Sequence, residues 1–143
     1  MYPVWEGFLI HSAIVVALIA VAHVLFSHVT VAATWFNWWV ERKALVENKP
    51  YLLDYLKASA LRLLMFAYTV GAMFGVGIWF SVTASNPRGI STLIHNFVFY
   101  WAAEWFWFII DVFGIAVYYY TFGKVNPKTH ARIGLALALA ASG

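Results

Sequence analysis

The chain alternates long apolar runs with short polar stretches, and the runs are too long for the elements of a globular core. The first begins after Pro3, a residue suited to the opening turn of a helix, and extends from Gly7 to about Trp39. Only His11, Ser12, His23, Ser27, His28, Thr30, Thr34 and a few like them interrupt it. A bilayer span needs about 20 residues at roughly 1.5 Å of rise each. A helix this long therefore tilts, projects or ends in an interfacial turn. Trp35, Phe36, Trp38 and Trp39, set just before Glu41, Arg42 and Lys43, look like the aromatic belt of a membrane surface. Glu41–Lys57 is the one polar stretch of any length, and Pro50 is its expected break. The second run, Leu61–Ala84, carries Gly71 and Gly75 at the small-xxx-small spacing of closely packed membrane helices. Asn86-Pro87-Arg88-Gly89 has tight-turn chemistry. The third run, Leu93–Phe122, passes through a short loop, Gly123–Lys128, into Ala131–Ala141. That last piece is too short to cross alone. It reads as the opening of a fourth span, so the natural chain is expected to continue.

The expected fold is thus an all-α integral membrane protein, one transmembrane domain over residues 1–143 with three full spans and the start of a fourth. Composition agrees: 64% of the residues are hydrophobic and only 10% charged, whereas a soluble domain carries about a quarter charged residues. There is no cysteine, which removes disulfides, iron–sulfur clusters and thioether-linked haem. The net charge of +3 is modest loop charge and gives no reason to invoke nucleic acid. Met1–Glu6 lacks Lys and Arg and the following run is long, so a cleavable signal peptide is not expected. Arg42, Lys43, Lys49, Lys57 and Arg62 gather between the first two spans, and Lys124, Lys128 and Arg132 follow the third, against Arg88 alone in between. The positive-inside bias puts the N-terminus outside.

The informative residues are the ionisable ones within the spans, which are costly there and by default functional. They are His11, His23 and His28 in the first, and His95, Glu104 and Asp111 in the third. His11–His28 and His95–Asp111 cover nearly equal intervals, 17 and 16 residues, which offers matched depths for histidine and polar partner. Rotation at about 100° per residue sends the three histidines of the first span to different sides. Glu104 and Asp111 share a face nearly opposite His95, so more than one neighbouring helix is needed. Neutral imidazole ligates haem iron in membrane b-type cytochromes, and Trp101, Trp105, Phe106, Trp107 and Phe108 suit the flanks of a macrocycle. Carboxylates in series suit a proton relay. A membrane histidine also serves simply as a hydrogen-bond partner of the next helix, a reading open for His11 and His28. His130 is expected in the inner loop, solvated.

Ala22-His23-Val24-Leu25-Phe26, Gly75-Val76-Gly77, the pair Glu104 and Asp111 followed by Gly114, and Gly123-Lys124-Val125 together resemble the N-terminal part of subunit I of cytochrome bd-type quinol oxidases. The resemblance runs from about residue 15 to the end. It implies one four-helix bundle of that subunit, with His23 ligating the iron of haem b; His95, His28 and His11 remain further candidates from their places in the spans alone. Glu104 and Asp111 would relay protons or tune the haem site. It also implies a quinol substrate, other membrane subunits or cytochromes of a respiratory complex as partners, and a bacterial or archaeal plasma membrane. The acidic pair is seven apart with Asp second, where the family has eight and Glu, and His28 has no counterpart. The family's later helices, with the low-spin haem's His/Met pair and the quinol loop, are absent from these residues, so the chain is not expected to be a complete oxidase. Two other classes stay open: a cofactor-free scaffold subunit packing on larger helices through Gly71 and Gly75, and a proton- or ion-coupled transporter fragment resting on Glu104 and Asp111.

Overall fold

The computed structural model describes residues 4–5 and 11–142, and among them only helices and connections occur. Helix α1 spans Ser12–Val46, α2 Pro50–Tyr55, α3 Leu61–Ser85, α4 Pro87–Thr121 and α5 Pro127–Ala140, and a π-helical turn, Leu56–Ala60, joins α2 to α3. Ser12–Val46, Pro50–Ser85 and Pro87–Thr121 are each long and apolar enough to cross a membrane. The expected beginning of the first span at Gly7 lies outside the described residues.

The polar stretch Glu41–Lys57 is not the connection the sequence suggested. Helix α1 continues through it to Val46, and only Glu47–Lys49 links it to α2. Packing carries the helix onward, because Val40, Glu41 and Ala44 are buried while Arg42 and Lys43 lie beside the Trp38 and Trp39 rings at 5.7 and 5.0 Å. The turn after Val46 uses Asn48 at φ 54°, a left-handed conformation that Asn tolerates. The break expected at Pro50 is there, just ahead of it, and Pro50 itself opens α2. Likewise Asn86-Pro87 is a helix start: the Asn86 side chain accepts from Gly89 N–H at 2.9 Å and Pro87 fills the first turn. Asn126-Pro127 opens α5 in the same way, with Lys128 N–H as donor. The third span therefore begins at Pro87, six residues before the expected Leu93. It bends at Phe97, whose φ/ψ of −123°/25° leave the helical region.

α1 packs on α3 and α5, and α4 packs on the same two helices; α1 with α4, and α3 with α5, make no close backbone approach. The four thus form a ring with α1 and α4 on one diagonal. Neighbours are antiparallel. Phe26 stacks on Phe74, Tyr68 on Phe108, and Tyr118 on His130. The buried core, Ala33, Leu61, Leu64, Ile115, Tyr118 and Leu137, lies toward the α5 end, with Val40, Leu56 and Ala60 clustered beside it. Of α4's 35 residues only Ile115 and Tyr118 are buried, so the stretch before Ile115 presents Phe99, Tyr100, Phe106 and Phe113 outward, as lipid-facing surface does.

Candidate functional site

His23 sits in the α1–α3 seam, where α3 has no side chains to fill it. A Cβ on Gly75 would lie 2.9 Å from the His23 Cε1, and one on Gly71 would lie 3.3 Å from the Phe26 Cβ. These glycines therefore serve packing within the chain, against α1, and do not offer the outward seam that the scaffold reading expected of them. The His23 Nδ1 lies 2.8 Å from the Gly71 carbonyl oxygen, to which it donates, since a carbonyl only accepts. That bond fixes the tautomer and leaves Nε2 as the nitrogen with a lone pair. Its one contact is the Ser27 Oγ, distant at 3.5 Å. An imidazole anchored through Nδ1 to a backbone carbonyl has the tautomer in which Nε2 is able to bind a metal.

The other candidates are differently placed. His28 is exposed and bonds only the Val24 carbonyl of its own helix, at 2.7 Å. His11 caps α1 by accepting from Ala13 N–H at 3.3 Å. His95 and Glu104 are exposed on α4. Asp111 is half-buried, and its Oδ1 has no partner; nor does the buried Nε1 of Trp101. Because α1 and α4 stand on a diagonal, the matched depths of the histidines and acids are not realised as contacts: among the described residues no hydrogen bond joins His11, His23 or His28 to Glu104 or Asp111. No group of three or more His, Cys, Asp or Glu poised to hold a metal occurs among them either.

The best-formed polar cluster lies at the other end, and it overturns the expectation of a solvated His130. This ring is 2% exposed, on α5, with Glu41 of α1 and Tyr118 of α4 around it. His130 Nδ1 is 2.6 Å from Glu41 Oε1, His130 Nε2 is 2.9 Å from the Tyr118 carbonyl, and the Tyr118 hydroxyl donates to Glu41 Oε2 at 3.2 Å. Gly134 leaves room for the group, since a Cβ there would lie 3.0 Å from the Tyr118 ring. Burial resists charge on His130, but the hydrogen bond to Glu41, the Tyr118 carbonyl and the Glu41 charge together hold its pKa above the ordinary value. With an acceptor facing each ring nitrogen, the arrangement suits an imidazolium paired with a carboxylate. Sequence reasoning missed Glu41 because it adjoins Arg42 and Lys43 and reads as a surface charge. The available signal was its position on the buried face of α1, one turn from Asn37.

Compared with known proteins, the chain matches no protein-family model, no curated protein and no solved structure.

Proposed function

We propose that the chain is a haem-binding membrane subunit of a respiratory electron-transfer complex, similar to part of subunit I of cytochrome bd-type quinol oxidases. The observation that carries this reading is the posture of His23, with Nδ1 tied to the Gly71 carbonyl and Nε2 left as a lone-pair donor. Haem b bound there supplies a one-electron couple linked to quinol. His23 would hold the iron, with its ring oriented by the Gly71 carbonyl and given space by Gly75. Asp111, with an unpartnered oxygen, and Glu104 would exchange protons on α4, across the helix ring from His23. Other membrane subunits or cytochromes complete the complex against the exposed face of α4. The setting is a bacterial or archaeal plasma membrane with the N-terminus outside, as the distribution of Lys and Arg favours.

The test is a reduced-minus-oxidised absorbance spectrum with a pyridine haemochrome assay, for wild type and His23→Ala. Haem in the wild type and its loss in the variant are expected. Haem that survives the substitution moves the ligand to His11, His28 or His95. A folded preparation, partners retained, with no haem at all sinks the reading. In that case the cofactor-free alternative takes its place, favoured by the fact that Gly71 already gives His23 a hydrogen-bond partner.

A further inference from the structure

Down one face of α1 the polar residues are His23, Ser27, Thr30, Thr34, Asn37 and Glu41, alternately four and three apart, which keeps them on a single stripe. The stripe faces inward. His23 and Ser27 are half-buried, and exposure falls to 7% at Thr30, 2% at Thr34, 1% at Asn37 and 2% at Glu41. At roughly 1.5 Å per residue it extends about 27 Å along the helix. Its ends are His23, touched by the Ser27 hydroxyl, and Glu41, bonded to His130.

Packing accounts for only part of this. Thr30 and Thr34 donate to the Phe26 and Val31 carbonyls at 2.9 and 2.7 Å, which leaves their oxygens able to accept. Asn37 is different: both its Nδ2 and its Oδ1 are buried with no partner. An amide so placed is costly unless something bonds it, and ordered water bonds such buried polar groups in folded proteins. A side-chain donor and acceptor one turn from the buried ion pair, with Thr34 and Thr30 beyond it on the same stripe, is placed to hold such water.

We infer that this stripe of α1 holds a file of ordered water anchored on the unpartnered Asn37 amide, running past Thr34 and Thr30 toward His23. Nothing in this requires iron on His23.

The experiment is water-to-protein magnetisation transfer by NMR on the full chain in lipid bilayers, with isotope-labelled threonine and histidine. Thr30 and Thr34 report on the file whether or not the His23 ring carries a metal. Water contact is expected at Thr30, Thr34, His23 and His130 in the wild type. In Asn37→Leu, contact at Thr30 and His23 is lost while that at His130 persists; in Asn37→Ser, which keeps a polar group, it is retained. Thr34→Val, of nearly unchanged volume, is read in the same way should Asn37→Leu not fold. Dry threonines in the wild type, or contact at Thr30 and His23 that survives both apolar substitutions, overturns the inference.

Discussion

The two ends of the helix ring hold their histidines in opposite ways. At the α5 end, His130 is enclosed by three helices, both ring nitrogens are engaged, and the partners are a carboxylate, a carbonyl and a stacked Tyr118 ring 4.5 Å away. Toward the other end, His23 lies between two helices, bonded through one nitrogen, with the α4 residues at that level facing outward. A fully engaged imidazole holds helices together and is costly to disturb. One with a free lone pair is left for chemistry. The same residue type is structural in one place and a ligand candidate in the other, and the neighbours decide which.

The sharpest way to break this contrast is Glu41→Ala. It strands His130 and the Tyr118 hydroxyl in a buried site, and loss of one partner of such a pair costs about 3–5 kcal/mol. Thermal unfolding in detergent should show the drop, and an unchanged midpoint would mean that the cluster holds nothing together. Gly134→Val forces a branched side chain against Tyr118 and Glu41, and overpacking of this kind costs about 1–3 kcal/mol. Stability should also depend on pH through His130. Its pKa is raised in the fold, so the pair's contribution is complete below the ordinary value of 6.5 and is lost as pH rises through the raised value. Stability scans across that range should slope downward in the wild type and lose that component in His130→Gln. The smallest effect belongs at the open end. Gly75→Ala meets the tip of the His23 ring, which can rotate aside at about 0.5–1.5 kcal/mol. Its signature is a changed His23 imidazole resonance as the bond to Gly71 is lost, with the midpoint moving least of all.

The helical spans were legible because apolar length leaves few alternatives, and the glycines of α3 carried real information about close helix packing. Boundaries were less so. Asn-Pro reads equally as a turn and as a helix start, and only the Asn86 and Asn126 side-chain bonds distinguish them. Charged residues after Trp39 suggested a loop, whereas Glu41 and Ala44 are covered by tertiary packing that no local pattern announces. The glycines were seen, but their partner was sought in another subunit when it lay in α1. His130 was misjudged for a related reason: its burial depends on Glu41, 89 positions away along the chain. The polar stripe of α1 was open to inspection all along as a spacing, but a spacing says nothing about whether water or solvent meets it.

The turn Leu56–Ala60 has a consequence of its own. It closes a bond from Leu61 N–H back to the Leu56 carbonyl, five residues instead of four, so it accommodates one surplus residue in a continuous rod. Each residue turns a helix by about 100°, so this extra one acts as a phase adjustment between α2 and α3. Upstream, Leu52 and Leu53 pack with Val40; downstream, Gly71 and Gly75 come round to face Phe26 and His23. Excising one residue from the turn would leave both segments helical yet set them out of step, with a bulky side chain where the glycines now admit the imidazole.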